Sequence, residues 1–316
     1  MKKRVLVLGA TGFVGRNMAE YFAQKEDVTV TGTYYNSAPL NHPNIKMVCT
    51  DLTVKQDVAR VMQNQDLVLQ AAAVTSGAND IVNNPHYHIA DNAVMNSLIF
   101  RAAFDSDTPH VIFFSCSVMY HPSETPLKES DFDPGRPLHD KYFGGAWNKI
   151  YFEKMCEFYA RQGRNRYTVI RHSNNYGPYD KFDLDKGHVF GATVAKVMAA
   201  PDNGRIVIWG SGEEKRDLLH IDDLVRMVES AAEVQKAPFA LYNAGSGLPI
   251  AVKDLVRKVC DASGKNIELD YDLSKPTIPI TICLDSTKAK ADLGWESQIS
   301  IDEGIRRTLQ WYRWHH

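Results

Sequence analysis

No two cysteines in this chain are spaced as CxxC. The five present, Cys49, Cys116, Cys156, Cys260 and Cys283, are scattered and odd in number. That excludes a disulfide framework and the usual structural zinc sites, and it fits a reducing cytoplasm. Net charge is nearly absent: 36 basic against 38 acidic residues leave -2. The chain therefore lacks the electrostatic footprint of a nucleic-acid binder and a polybasic patch for anionic lipid. Long apolar runs are missing too. Val5 to Leu8 stops at Gly9, too short for the apolar core of a secretion signal, and no later stretch approaches the ~20 residues of a membrane-spanning helix. Without repeats, low-complexity tracts or a Gly/Ser linker, the 316 residues are expected to form one large unit or two interlocked domains. The expectation is a soluble, unprocessed protein with no metal and with neither nucleic acid nor membrane as partner.

What the chain does have is alternation. Hydrophobic residues at 44% and charged residues at 23% exclude a largely disordered chain. Val5 to Leu8 reads as a strand buried on both faces; Val14, Met18, Tyr21 and Phe22 stand at near-helical spacing within 14–24, and 28–33 reads as a second strand. Further strands over 46–49, 67–73, 111–115 and 168–171 and helices over 54–63, 91–104 and 149–162 predict an α/β fold built on a Rossmann-type, doubly wound parallel sheet. After Gly177-Pro178 the regularity breaks in a polar loop with Asp180, Asp183, Asp185 and Lys186. We expect a cofactor-binding domain over 1–172, to which part of 217–245 returns, and a smaller mixed α/β substrate domain over most of 173–316.

The loop GATGFVG sets Gly9, Gly12 and Gly15 between the first strand and the first helix. Glycine there permits a tight turn and close approach of backbone to a pyrophosphate, whose charge is met by the helix N-terminus. With a strand before and a helix after, dinucleotide binding is the expected role. The second strand ends Thr31-Gly32-Thr33-Tyr34-Tyr35-Asn36, with no carboxylate to take the ribose 2′-hydroxyl of NAD. Arg16, just past the third glycine, reads either as a partner for a 2′-phosphate or as a solvated helix residue. NADP(H) is expected ahead of NAD(H).

The GxxGxxG spacing resembles the short-chain dehydrogenase/reductases. Longer segments resemble their extended branch, the NAD-dependent epimerase/dehydratase family, and GDP-L-fucose synthases within it: KIYFEKMCEFY from Lys149, RHSNNYGP from Arg171, WGSGEEKRDLLHIDD from Trp209, NAGSGLPIAVKDLV from Asn243 and LGWESQISIDEGIRRTLQWY from Leu293. The last two imply architecture only. For the cofactor the resemblance implies contacts from Thr11, Phe13, Val14, Leu52 and His172 beside the glycines, an adenine contact from Asp51, and close approach at Ala71-Ala72-Ala73.

In that superfamily the tyrosine of a YxxxK motif exchanges a proton with the substrate oxygen while hydride passes to or from the nicotinamide. The lysine, on the same helical face, lowers the tyrosine pKa and holds the ribose. By resemblance Lys149 is that lysine, yet Gly145 stands where the tyrosine belongs. Tyr142 is the nearest phenol, and Gly144-Gly145 is expected to disfavour helix, so that a bend could bring Tyr142 toward the nicotinamide. Three readings stay open: Tyr142 donates the proton, Cys116 or a water supplies it, or the chemistry is lost. In VIFFSCSVMY the family's catalytic hydroxyl position falls on Cys116. A thiol is a weak donor, so Ser117 is expected to donate to the carbonyl oxygen, with Cys116 lining the site.

On the substrate side the resemblance implies that Asn174 bonds the sugar nucleotide and that Arg216 meets its diphosphate through bidentate contacts. The plainer reading of Arg216 is an ion pair with Asp217. His188 matches a family histidine that moves protons during epimerisation, but Val118 stands where the companion cysteine belongs, so double epimerisation is not expected: His188 either makes a single proton transfer or, the reading expected first, binds sugar without titrating. An arginine usual near Thr281 is missing, and Lys275 is the nearest source of charge. The function implied is NADP(H)-dependent reduction of a nucleotide-linked 4-keto deoxy sugar for surface polysaccharide, lipopolysaccharide or capsule, by a cytoplasmic homodimer. The alternatives are an NDP-sugar epimerase holding NAD tightly and, from another class, a catalytically silent nucleotide-binding regulator.

Overall fold

A computed structural model describes residues 2–75, 85–123, 125–184, 187–274 and 281–316. β1 (Lys3–Leu8), β2 (Val28–Tyr34), β3 (Ile45–Cys49), β4 (Leu67–Gln70), β5 (His110–Cys116), β6 (Arg166–His172) and, from much later in the chain, β11 (Phe239–Ala244) form one parallel sheet in the order β11-β6-β5-β4-β1-β2-β3. The order reverses between β1 and β4. In open α/β sheets that switch point is where the strand ends part and a ligand enters.

Alternate residues of each strand supply the two faces. Val5, Val7, Ile112, Phe114 and Ile170 pack with Met18 and Phe22 of α1 (Phe13–Ala23) and with Leu224, Met227 and Val228 of a helix spanning Ile221–Val234. Leu6, Leu8, Val68, Val111, Phe113 and Val169 meet α2 (Lys55–Met62), α3 (Ala90–Asp105) and α4 (Phe143–Arg161) on the other face. Two buried faces explain the near-continuous apolar runs.

Two local expectations need correction. The strand expected to reach Ala73 ends at Gln70, whose side chain donates to the Ala72 carbonyl and to Asn96 at 3.1 and 3.0 Å and so draws the following residues off the sheet. The helix expected from Lys149 begins at Phe143 and runs through both glycines. Gly144 lies so close to Ile89 that a Cβ would meet its Cδ1 at 2.6 Å, while Asn148 Nδ2 donates to the Ile89 carbonyl at 2.9 Å and Ala146 and Ile150 are buried. This packing outweighs the ~1 kcal/mol that each glycine costs a helix. Tyr142 becomes the N-cap of α4, with no intervening break to swing it toward Lys149.

Beyond β6 the chain builds three small strand pairs: β7 (Asn174–Tyr176) with β10 (Leu218–His220), β8 (Arg205–Trp209) with β13 (Glu268–Asp272), and β9 (Lys215–Arg216) with β12 (Ile250–Ala251). α5 (Val189–Ala199), α6 (Ile221–Val234), α7 (Val252–Ser263), α8 (Thr287–Leu293) and α9 (Ile301–His315) complete the described elements. Tyr176, Phe190, Ile206, Leu255, Val259 and Ile305 belong to a separate apolar cluster. The closing LGW segment is architectural as expected: Gly294 ends α8 in the left-handed conformation at φ 67° and Trp295 is buried.

A buried polar network fixes the C-terminal ends of β5, β6 and β11. Glu153 of α4 pairs with Arg171 at 2.6 Å, both side chains at most 5% exposed. It also accepts from Ser115 Oγ at 2.6 Å. Arg171 donates to the Tyr120 hydroxyl, which donates to Asn243 Oδ1, each at 2.8 Å. Breaking such a pair from one side costs about 3–5 kcal/mol.

Candidate functional site

At the switch point Gly9 and Gly15 are dictated by space. Gly9 has φ 76° and a Cβ there would meet Ala72 Cα at 2.7 Å; one on Gly15 would meet the Gly9 carbonyl at 2.1 Å. Gly12, the exposed N-cap of α1, has nothing nearer than that carbonyl at 3.4 Å. The loop is held from β2, where Thr33 Oγ1 accepts from Gly9 N at 3.0 Å and the Thr33 carbonyl from Ala10 N at 2.9 Å. The first turn of α1 has no acidic residue, so the positive field of its N-terminus is uncompensated. An open backbone cradle over an uncompensated helix N-terminus fits the pyrophosphate of a dinucleotide.

The other expected cofactor residues surround that cradle. Asp51 follows β3, its carboxyl held below the usual range by the Thr53 hydroxyl at 2.6 Å and the Thr53 N–H at 2.9 Å. Leu52 is buried, Phe13 and Val14 pack on the sheet core, and Ala71 to Ala73 lead away from β4. Thr11 Oγ1 accepts from Ser37 at 2.7 Å. Arg16 pairs with Glu20 at 2.8 Å and lies 3.8 Å over the Tyr179 ring. That joins α1 to the loop after β7.

The catalytic candidates converge at the ends of β5 and β6. Cys116 and His172 are register partners, the last residues of adjacent parallel strands. Lys149 reaches them from α4, its Nζ donating to the Phe114 carbonyl at 2.7 Å and lying 4.7 Å from the Phe113 ring centre. Ser117 follows half-buried, its carbonyl accepting from Tyr120 N at 3.0 Å. Lys149, Cys116, His172, Tyr142 and Arg216 are all partly exposed, yet packed protein displaces the pKa of each. Burial lowers Lys149, opposed by Cys116 and Glu153; it raises the Cys116 thiol, opposed by Lys149; and it pushes His172 down to about 4. Burial also raises Tyr142, opposed by the Arg216 charge, and lowers Arg216, opposed by Tyr142 and Glu214. Surfaces both wetted and surrounded are walls of a crevice.

Mutual influence orders these walls. Lys149 is felt by Cys116 and His172, His172 also feels His188, and Tyr142 feels Arg216 and then Cys116. His188, the exposed N-cap of α5, has its imidazole held low by the crevice walls and Lys181. Asn174 starts β7, its Nδ2 donating to the Asp217 carbonyl at 3.1 Å. Beside Arg216 the buried Asp217 carboxylate accepts from Ser246 N and Oγ and from Leu284 N at 2.6–3.0 Å. Asp217 thereby pins the strand carrying Arg216. Lys275 lies outside the described residues.

Sequence reasoning missed the Glu153–Arg171 support beneath the site. The available signal was Glu153 four residues after Lys149 on the same helical face, beside an arginine ending a strand in the resembling RHSNNYGP segment.

A Rossmann switch point with a glycine cradle, facing a helix-borne lysine at the strand ends, defines an NAD(P)-dependent enzyme of the extended short-chain dehydrogenase/reductase class. The chain belongs to the NAD dependent epimerase/dehydratase family, which matches residues 5–245. It is 30% identical to the GDP-L-fucose synthases of Azorhizobium caulinodans, covering 98% of this chain and 96% of that protein, and of Escherichia coli, covering 98% and 97%. It is 26% identical to the GDP-L-colitose synthase of Yersinia pseudotuberculosis, with 98% and 97% covered. Among solved structures, UDP-glucose 4-epimerase of Thermotoga maritima with UDP-glucose shares the fold at a TM-score of 0.86 and 23% identity, over 99% of both chains.

Proposed function

We propose that the protein is an NADP(H)-dependent reductase of a nucleotide-linked 4-keto deoxy sugar, supplying a surface polysaccharide precursor. The observation that carries this reading is the position of Lys149. It is anchored at the end of β5, in the same sheet as β1, whose end carries the glycine cradle. The similarity to synthases named for GDP-sugars supports the substrate class.

When bound, the dinucleotide supplies hydride. Gly12 and the α1 N-terminus hold its pyrophosphate, Asp51 its adenine, and Lys149 its nicotinamide ribose, with His172 alongside. Asn174 and Arg216 hold the sugar diphosphate, Ser117 donates to the carbonyl oxygen, and His188 faces the sugar. Preference for NADP(H) rests on the carboxylate-free end of β2, with Arg16 at the start of α1 as the candidate partner for a 2′-phosphate. We read the residues through 172, with 239–244 returning, as the cofactor domain. An exposed apolar face of Phe143, Trp147, Tyr151 and Phe158 on α4 with Val94 on α3 supports a homodimer, and we assign the protein to the cytoplasm.

The test is loss of absorbance at 340 nm on mixing protein, NADPH and a GDP-linked 4-keto-6-deoxy sugar. Steady oxidation of NADPH in proportion to sugar supports the reading. Sugar interconversion with no net absorbance change contradicts it and favours a 4-epimerase.

A further inference from the structure

Position 145 is a gap. On α4 it stands one turn before Lys149, on the same face, and a Cβ built on Gly145 meets nothing within 4 Å. The side chain that would hand a proton to the substrate from there is missing, and the neighbours show what can replace it. Tyr142 is seven residues before Lys149, about 10 Å away along a continuous helix, and the charge its phenol feels first is that of Arg216. Cys116 is the titratable group that feels both Lys149 and Tyr142. It closes β5 two residues past the carbonyl that Lys149 grips, in register with His172. Its side chain packs with Val118 and Tyr142 against the cluster that holds Ala146 and Ile150 of α4.

We propose that Cys116 gives the proton to the substrate oxygen, in the role a phenol at position 145 would otherwise fill, while the Lys149 ammonium stabilises the thiolate left behind. This deepens the reductase reading and rests on it. As hydride arrives at the carbonyl carbon, the carbonyl π pair moves to oxygen. The S–H bond breaks and an O–H bond forms, leaving sulfur as thiolate; water from the open side of the crevice then reprotonates it. The charged and titratable groups around the thiol act in both directions. Lys149 on α4 and Arg171 on β6 favour the thiolate, whereas Glu153 on α4 opposes it, as does burial, so the resting group is the protonated donor. The alkoxide formed on reduction is far more basic than a thiolate, so transfer runs downhill.

Two readouts test this, one needing no substrate. In the purified full-length protein, alkylation of Cys116 by iodoacetamide is followed by mass spectrometry across pH. Lys149→Met should slow it by about tenfold at pH 8.5, the effect of a rise of one pKa unit. An alkylation rate indifferent to Lys149 would overturn the thiol–ammonium pair even if the protein reduced no sugar. In turnover, Cys116→Ala and Cys116→Ser should each lose at least about a hundredfold in kcat, the usual contribution of general acid catalysis, while Tyr142→Phe stays within about tenfold. Gly145→Tyr added to Cys116→Ala should restore kcat, because a side chain can leave the helix there without a clash at Cβ. Wild-type kcat in Cys116→Ala would sink the proposal and leave the reductase reading standing. NADPH left unconsumed by wild type with every keto sugar would sink that reading alone.

Discussion

The two ends of the crevice are built on different principles. At the proposed cofactor end the loop presents backbone N–H groups, and the sequence contributes mainly the absence of side chains at Gly9, Gly12 and Gly15. At the chemical end the groups are side chains delivered by separate elements: Cys116 by β5, His172 by β6, Lys149 by α4 and Arg216 by β9. Such a cradle tolerates no side chain at Gly9 or Gly15. A side-chain constellation can lose its phenol and keep its lysine, because the Glu153–Arg171 network holds the strand ends whichever acid is used.

Substitutions that damage one end and spare the other sharpen this contrast. The largest effect is expected from Lys149→Met: kcat falls by at least about a thousandfold, since ribose anchoring and proton delivery fail together. The melting temperature should change little, as checked by stopped-flow oxidation of NADPH beside calorimetry. Gly15→Ala should do the reverse. With a Cβ 2.1 Å from the Gly9 carbonyl the loop must move, and dinucleotide affinity measured by calorimetric titration should drop by about a hundredfold while melting temperature falls. An alanine there that binds cofactor normally would show that the cradle does not hold the pyrophosphate. Arg216→Lys should raise KM for the sugar nucleotide about tenfold with kcat nearly kept, because an ammonium replaces a bidentate fork with a point charge.

The smallest effect concerns the loop after β7. Asp180 is buried with Oδ2 unpartnered, and burial pushes its carboxyl up to about 7 from 3.8. The folded state keeps a proton that the unfolded chain has released. Stability from this group is therefore full below about pH 4 and is lost as pH rises to about 7. Asp180→Asn should abolish that decline and raise the melting temperature at pH 8 by about 3 °C, with little change at pH 4. Equal slopes for variant and wild type would place the charge elsewhere.

The same contrast explains what could be read from the residues in order. Strand, glycines and helix over 3–23 are contiguous, so their spacing alone carried the cradle, and the alternation of β and α carried the parallel sheet. Tyr142 was a different matter. Two glycines locally weaken a helix, but Ile89 from another part of the chain fills the space beside Gly144 and keeps α4 straight. Arg16 likewise stood free in the sequence, whereas Tyr179 and Glu20 contact it in the fold. Local propensity registers neither contact, since both are set by packing between elements distant in sequence or by side-chain geometry. Lys149 was found through resemblance, and its anchoring on the Phe114 carbonyl emerged only with the fold.

The central claim is that the crevice brings a nicotinamide ribose to the ammonium of Lys149. A crystal structure of the full chain with NADP and a GDP-sugar tests it most directly. The account predicts Nζ within hydrogen-bond distance of the ribose hydroxyls, with the Cys116 sulfur facing the sugar carbon that takes hydride. A dinucleotide whose nicotinamide lies away from the ends of β5 and β6, leaving Lys149 on the Phe114 carbonyl alone, would contradict it.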